Sequence, residues 1–124
     1  MTEPQTVRIG IVGLGGIARG QHIPGYLRLC ENVEIAALCD VNEAVLDDVG
    51  EELGVEARTT DYRELVAMEE VDAVDICTWP NMHHPIAMTA VEHGKHVFSE
   101  KPLALSYPLA REMRDAAEAA GVET

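Results

Sequence analysis

The sequence predicts an α/β fold with a doubly wound, open parallel sheet that helices cover on both faces. Short β-branched runs alternate with amphipathic segments five times along the 124 residues, which are enough for one domain with a hydrophobic core. Connections of this length favour right-handed crossovers between parallel strands. In such sheets, ligands bind beyond the carboxyl ends of the strands, where the strand order reverses. We therefore expect functional residues at that edge.

The predicted strands are short apolar runs that end at glycine or at polar turn residues. The first, Val7–Val12, is rich in β-branched residues, as buried parallel strands usually are. The other four are predicted over residues 33–39, 56–59, 73–78 and 95–99.

Five helices are predicted from capping residues and from the helical spacing of apolar residues. The first helix follows the first strand and is interrupted at Pro24. The others run from a cap at Asn42 to about Leu53 with Gly54 as the stop, from Thr60 or Asp61 to about Met68, from about His84 to Gly94, and from Ser106 to Gly121. The last helix is predicted to bury one face that carries Leu109, Met113, Ala116 and Ala120.

The surface is predicted to be strongly acidic, because 22 acidic residues face 9 basic ones and the formal net charge is −13. Such a charge repels phosphate backbones and anionic lipid, which argues against nucleic acid and membranes as partners. An acidic, lysine-poor surface would suit a high-salt host, but it is also an ordinary route to solubility. No apolar run approaches the roughly 20 residues of a membrane helix, and residues 1–5 lack the features of a signal peptide. We therefore expect a cytoplasmic protein.

Neither a disulfide framework nor a metal site is indicated by the sequence. The three cysteines, Cys30, Cys39 and Cys77, are odd in number and lack paired spacing, so they are predicted to be small buried residues in a reducing cytoplasm. The histidines form no carboxylate–histidine cluster with the spacing of metal ligands, and they stand at His22, His83, His84, His93 and His96.

A glycine-rich stretch follows the first strand, where Gly13-Leu14-Gly15-Gly16-Ile17-Ala18 fits the pattern G-x-G-x-x-G/A. Gly13 permits a tight turn, Gly15 lets the backbone approach a pyrophosphate, and Ala18 lets the helix pack closely on the strand. Gly16 and Ile17 stand at the start of that helix, whose free amides and positive dipole end favour phosphate. A glycine-rich turn without a ligand is the alternative, although the strand before it and the helix after it fit a dinucleotide site.

Asp40 stands at the end of the second predicted strand, 22 residues after Ala18. A carboxylate at about this spacing accepts hydrogen bonds from the ribose hydroxyls of a dinucleotide. A helix-capping aspartate is the alternative interpretation. Because Val41 and Asn42 follow and no arginine is there to receive a 2′-phosphate, the residues favour NAD over NADP. The turn and the carboxylate together predict a dinucleotide-binding domain of the Rossmann type over residues 1–124.

Two further stretches resemble signatures of one family. Residues 94–104, with the sequence Gly-Lys-His-Val-Phe-Ser-Glu-Lys-Pro-Leu-Ala, resemble the G-K-H-V-x-x-E-K-P-L-A signature of the glucose–fructose oxidoreductase/inositol dehydrogenase (Gfo/Idh/MocA) family. Residues 78–83 resemble that family's T-P-x-x-x-H loop after the fourth strand. Trp79 departs from the pattern, since it stands where the family usually has proline and the proline is displaced to Pro80. The resemblance extends from Val7 to Val122.

The resemblance implies which residues meet the nicotinamide and the substrate. Lys101 becomes the candidate catalytic residue, because a lysine beside the substrate oxygen can stabilise negative charge and exchange a proton. Partial burial would lower its pKa toward a useful range. Glu100 is then expected to orient Lys101 or the cofactor, and Thr78 and His83 are carried over as cofactor-binding residues. Trp79 either covers the nicotinamide or packs under a second domain.

The sequence ends where a sixth strand is expected to begin, and family members continue into a substrate domain that these residues do not include. The leading hypothesis is the NAD-binding domain of an oxidoreductase that transfers a hydride to or from a sugar, cyclitol or related polyol, with a homo-oligomeric parent protein. A regulatory or sensor module that binds NAD(P) without turnover is the main alternative, and a chain that binds nothing is the third. By themselves, the 124 residues are expected to bind NAD weakly and to catalyse nothing.

Overall fold

The computed structural model describes residues 5–124, and its centre is a single five-stranded sheet. In chain order the strands are β1 Val7–Val12, β2 Val33–Cys39, β3 Arg58–Thr59, β4 Ala73–Ile76 and β5 His96–Ser99. They lie side by side in the order β3-β2-β1-β4-β5, and every pairing is parallel. The order reverses between β1 and β4, which opens a crevice at the carboxyl ends of these strands. The predicted doubly wound α/β fold is confirmed.

Five α-helices connect and follow the strands. They are α1 Ile23–Leu29, α2 Glu43–Leu53, α3 Tyr62–Val66, α4 His83–Glu92 and α5 Tyr107–Ala120. The side chains of Asn42, Asp61 and Ser106 cap α2, α3 and α5 by accepting a backbone N–H of the first turn. Gly54 and Gly121 end α2 and α5 in the left-handed conformation, with φ of 69° and 70°.

The two faces of the sheet bury separate hydrophobic clusters. One face packs on α1 and α2 through residues that include Ile11, Leu14, Leu38, Ile23 and Leu46. The other face packs on α3, α4 and α5 through residues that include Val74, Ile76, Leu65, Ile86 and Met113. Side chains alternate along a strand, so Asp75 points away from the cluster of Val74 and Ile76 and toward α1. The one carboxylate buried within this core is therefore beside α1, among the described residues.

Several predicted details differ from the structure. The backbone stays helical through Pro24, because a π-helical turn at Ala18–His22 leads directly into α1 and Pro24 falls in the first turn of α1, where its missing N–H is not needed. Ala120, predicted to face the core, is exposed in the last turn of α5, and Ala117 is buried instead. Cys30 is exposed after α1, whereas Cys39 and Cys77 are buried as predicted, and all three are free.

Element boundaries differ from the predicted ones by up to two residues. The third strand is shorter than predicted, the fourth ends at Ile76, and the fifth begins at His96. α3 is capped by Asp61 and ends at Val66, and α4 begins at His83. None of the helices within residues 5–124 combines the length and the apolar character that crossing a bilayer requires. Residues 1–4, which carry most of the stretch predicted not to be a signal peptide, lie outside the described residues.

Candidate functional site

The candidate site is the edge of the sheet where the carboxyl ends of four strands meet. Backbone hydrogen bonds tie these ends together: Gly13 N donates to Cys39 O at 2.9 Å, Cys77 N to Val12 O at 2.8 Å, and Glu100 N to Ile76 O at 3.0 Å. The segments that follow β1, β2, β4 and β5 are thus neighbours. Most of the sequence-predicted site residues lie on these four segments.

The turn after β1 has the geometry that its glycines predict. Gly13 has φ of 95°, and a Cβ there would lie 2.8 Å from the backbone C and O of Cys77. Gly15 and Gly16 face open space, since a Cβ added to either would have no other atom within 4 Å, so a ligand can approach their backbone closely. Ala18 is fully buried under the sheet, which holds the following helical segment against the strand. Ile17 is 41% exposed at the start of that segment.

Asp40 joins the end of β2 to the glycine turn. Its Oδ2 accepts the backbone N–H of Leu14 and its Oδ1 accepts the backbone N–H of Asn42, both at 2.8 Å. Asp40 does not itself cap α2, because the side chain of Asn42 does so. Each carboxylate oxygen has a further lone pair, so the group can still accept ribose hydroxyls from this fixed position. The two hydrogen bonds therefore fix Asp40 beside the turn and leave part of its acceptor capacity unused.

His83 is fully buried and connects the loops after β4 and β5. Its Nε2 lies 3.0 Å from Thr78 O and its Nδ1 lies 2.6 Å from Pro102 O. Both ring nitrogens are thus directed at backbone carbonyls of this chain. His83 therefore holds the loop after β4 against the segment after β5. Its predicted direct contact with a cofactor stays a prediction.

The loop that follows β4 exposes its aromatic side chain. Trp79 is 82% exposed, and Thr78 is half-buried with its Oγ1 donating to Trp79 O at 3.2 Å. Among the described residues, nothing covers Trp79. The two predicted roles of Trp79, over the nicotinamide or under another domain, stay predictions.

Glu100 and Lys101 follow β5 at the same edge of the sheet. The Oε2 of Glu100 accepts the backbone N–H of Lys101 at 3.0 Å, and its Oε1 lies 2.8 Å from His22 Nε2. The hydrogen bond with His22 and the one from the Lys101 amide lower the pKa of Glu100, so Glu100 is ionised at neutral pH. Lys101 is exposed, so the described residues do not supply the partial burial that was expected for a catalytic lysine.

A buried network that spacing in the sequence does not reveal lies behind this edge. Nδ1 of His22 is 2.6 Å from Asp75 Oδ2, which also accepts the hydroxyl of Tyr26 at 2.7 Å. Cys77 Sγ lies 3.3 Å from the same ring nitrogen and 3.4 Å from Asp75 Oδ1. Burial and the adjacent carboxylate raise the pKa of the Cys77 thiol and of the Tyr26 hydroxyl, so both stay protonated donors.

The network also has the donor atoms of a metal site. Ligand atoms of His22, Asp75 and Cys77 lie within 4.8 Å of one another. The short contacts in this network are those of hydrogen bonds that already pair these atoms. Sequence reasoning considered His22 only for metal binding and missed its link to Asp75, because the two residues are 53 positions apart.

The glycine turn after β1, the carboxylate after β2 and the crevice at the reversal of strand order define a dinucleotide-binding domain of the Rossmann type. Residues 7–124 match the family model of the Gfo/Idh/MocA oxidoreductases, described as an oxidoreductase family with an NAD-binding Rossmann fold. The chain belongs to this family, as the resemblance of residues 78–83 and 94–104 implies.

Two relatives illustrate the range of the family. The chain is 36% identical over 117 residues to an inositol 2-dehydrogenase of Paracoccus denitrificans, covering 94% of this chain and 34% of that protein. It is also 36% identical over 124 residues to an alpha-N-acetylgalactosaminidase of Shewanella oneidensis, covering 92% of this chain and 26% of that protein.

A solved structure has the same fold at the level of the whole chain. The WlbA dehydrogenase of Bordetella pertussis, in complex with NADH and UDP-GlcNAcA, superposes with a TM-score of 0.89 at 27% identity, covering 98% of this chain and 36% of that one. The chain therefore spans about a third or less of the length of these relatives.

Proposed function

We propose that this chain binds NAD and supplies the cofactor-side residues of an oxidoreductase acting on a polyol such as a sugar or cyclitol. The proposal rests on one observation: the open glycine turn, Asp40 and the Glu100–Lys101 segment all lie at the same edge of the sheet. In this proposal the turn binds phosphate, Asp40 accepts the ribose hydroxyls and Lys101 supplies a cationic group for the substrate oxygen. A homo-oligomeric parent protein remains part of this proposal.

Each group has a distinct task in this function. The open amides of the turn bind the pyrophosphate, and Asp40 accepts the ribose hydroxyls. NAD, when bound, accepts or returns the hydride of the substrate carbon. Lys101 donates a hydrogen bond to the substrate oxygen, stabilises its developing negative charge and exchanges its proton. His83 holds together the loops that carry Thr78 and Pro102, and so supports this part of the crevice.

Calorimetric titration with NAD and NADP tests the cofactor assignment on this chain. A 2′-phosphate beside Asp40 is repelled by up to about 4 kcal/mol per charge pair at 4 Å and an effective dielectric near 20. Solvent reduces this, so we expect roughly tenfold to thousandfold tighter NAD. Asp40→Asn removes the charge while its amide oxygen keeps one of the two acceptor positions, and it should narrow the preference for NAD over NADP. Equal affinities in the wild-type chain would contradict the role of Asp40.

A glycosidase activity is the second candidate, and the Shewanella relative favours it. That protein is named an alpha-N-acetylgalactosaminidase, and this chain matches it as well as it matches the inositol dehydrogenase. Both names concern polyhydroxylated rings, so the chemistry shared by the two candidates is recognition and activation of ring hydroxyls. Assay of the active protein that carries this chain on inositols, aldoses and an α-N-acetylgalactosaminide separates them. NAD reduction without glycoside cleavage supports the dehydrogenase, and glycoside release supports the alternative.

A regulatory module that binds NAD without turnover is distinguished by the same assay. Tight NAD binding combined with inactivity on the whole panel would favour that alternative. Lys101 argues for the enzyme, because a sensor has no need of a cation beside a substrate oxygen.

A further inference from the structure

His22 is the one side chain that joins the helical segment after the glycine turn to both β4 and the loop after β5, within residues 5–124. It stands in the π-helical turn Ala18–His22, with its side chain 7% exposed. Nδ1 faces Asp75 Oδ2 at 2.6 Å and Nε2 faces Glu100 Oε1 at 2.8 Å. The ring also packs on Phe98, with centroids 5.4 Å apart. The phosphate-binding and the lysine-bearing ends of the crevice are therefore connected through one imidazole.

The bridge needs both ring nitrogens as donors. Ionised carboxylates only accept, so two hydrogen bonds require the doubly protonated imidazolium. A neutral ring donates once and leaves the other carboxylate facing a lone pair. Charge-assisted hydrogen bonds at these short distances are about twice as strong as neutral ones, so the protonated ring binds both carboxylates more strongly than a neutral ring would.

We propose that His22 is a positioning residue of the active site: its imidazolium bridges Asp75 and Glu100 and so fixes the segment that carries Lys101. The geometric link is short, since the other oxygen of Glu100 accepts the backbone N–H of Lys101. The inference rests on the proposed function, in which Lys101 acts on the substrate oxygen. The bridge also makes the position of the Glu100–Lys101 segment dependent on pH.

The groups around the ring set the direction of the pH effect. Asp75 of β4 and Cys77, which follows β4, face the His22 ring on one side. Glu100, in the segment after β5, faces the ring on the other side. Tyr26 of α1 contacts Asp75 and so acts on the ring indirectly. Burial opposes the charged ring, but the hydrogen bonds to Asp75 and Glu100 outweigh it, and the pKa of His22 is raised. The bridge is therefore complete below the ordinary histidine value of about 6.5 and is lost as the pH rises through the higher folded-state value.

Two substitutions separate the two arms of the bridge. In His22→Gln the amide nitrogen stands as many bonds from the backbone as Nε2 and retains the arm to Glu100. In His22→Asn the amide corresponds to Nδ1 and retains only the arm to Asp75. In the active protein that carries this chain, we expect His22→Asn to lower kcat by about tenfold to a hundredfold, with a much smaller change in the KM for NAD, because Lys101 is misplaced rather than lost. We expect His22→Gln to recover most of that loss and to remove the alkaline fall in kcat due to His22. Equal losses in both variants would refute the positioning role.

A readout that needs no turnover tests the same bridge on this chain. A ¹⁵N NMR titration of the His22 ring should show both nitrogens protonated up to a pH above the ordinary histidine value of about 6.5, and hydrogen exchange of the Lys101 amide should accelerate in His22→Asn but much less in His22→Gln. If His22→Asn fails to fold, Glu100→Gln serves instead, and it should lower the pKa of His22 measured by NMR. A ring whose pKa in the folded protein lies at or below the ordinary histidine value would overturn the inference. Absence of turnover on every polyol, with the NMR and exchange results as expected, would instead count against the proposed function.

Discussion

Lys101 carries the chemistry in the proposed function, and its replacement is the direct test at the scale of a single residue. In the active protein that carries this chain, Lys101→Met should nearly abolish kcat and leave NAD affinity little changed. The reason is that the ammonium acts on the substrate oxygen, an interaction felt mainly in the transition state. Steady-state kinetics and cofactor binding on the same variant measure both effects. A variant that keeps most of its kcat would exclude Lys101 as the catalytic group.

The chain offers one matched control, because it contains one other lysine. Lys95 Nζ donates to Met68 O at 2.7 Å and to Val71 O at 2.6 Å, which ties the residue before β5 to the connection between α3 and β4. Lys95→Met should therefore lower the stability of the fold, while the folded fraction keeps kcat within about twofold, since Lys95 has no transition-state contact to lose.

Residues that belong to a spaced motif were indicated by the sequence, and residues whose partners follow no motif were not. The pattern of the turn indicated Gly13, and the spacing from that turn indicated Asp40, although Asp40 pairs with the amide of Leu14, 26 positions away. Asp75 is an anomaly in an apolar strand, and only the fold shows that it is satisfied by His22 and Tyr26. A polar residue inside a buried strand was the signal that could have prompted a search for its partner.

At the scale of an element, substitutions at two glycines of the turn after β1 should affect two different properties, the stability of the fold and the affinity for NAD. Gly13→Ala should cost about 1–3 kcal/mol of folding free energy, because φ of 95° strains an L-residue and the added Cβ meets the backbone of Cys77 at 2.8 Å. Gly15→Ala should change stability by no more than about 0.5 kcal/mol, since open space surrounds it. It should nevertheless weaken NAD binding at least about tenfold, because its methyl group occupies the approach of the pyrophosphate.

Chemical denaturation and calorimetric titration of the two variants decide this pair. The expected pattern is a less stable Gly13→Ala and a folded but weakly binding Gly15→Ala. Wild-type NAD affinity in Gly15→Ala would mean that the dinucleotide does not pass over this turn.

Helices with side-chain caps and glycine stops were predictable nearly to the residue. Asn42 and Gly54 bound α2 as expected, because both caps work through local hydrogen bonds and φ values. The π-helical turn before Pro24 was not predictable from local sequence, because this turn places His22 between two distant residues, Asp75 of β4 and Glu100 after β5. The exposure of Ala120 likewise depends on where α5 ends relative to the core rather than on its helical phase.

For the whole molecule, alternation of strand and helix was sufficient to predict a parallel, doubly wound sheet. The observed order β3-β2-β1-β4-β5 follows from right-handed crossovers that change direction once. The extra residue in β2 where it pairs with the middle of β1 could not be predicted from the sequence, because it depends on the register between Ile9 and Gly10.

The acidic surface makes a prediction at this scale. With a formal net charge of −13, the folded chain repels itself more than the expanded chain does. Raising the salt concentration from about 0.01 M to 0.15 M shortens the Debye length from about 30 Å to about 8 Å and weakens this repulsion. We expect a gain of about 1 kcal/mol in the free energy of unfolding, or roughly 3–6 °C in Tm for a chain of this size.

Thermal unfolding in sodium chloride from about 0.01 M to about 1 M measures the gain, and the dependence of Tm on salt concentration identifies the cause. A screening effect rises steeply at low salt and levels off once the Debye length is shorter than the spacing of surface charges. Exclusion of salt from apolar surface instead grows steadily to molar concentrations. Reducing the net charge in exposed Glu51→Gln/Glu52→Gln should shrink the low-salt gain without altering the high-salt limit. A Tm that falls as salt is added would show that attractive pairs such as Arg8 with Asp72 outweigh the net repulsion.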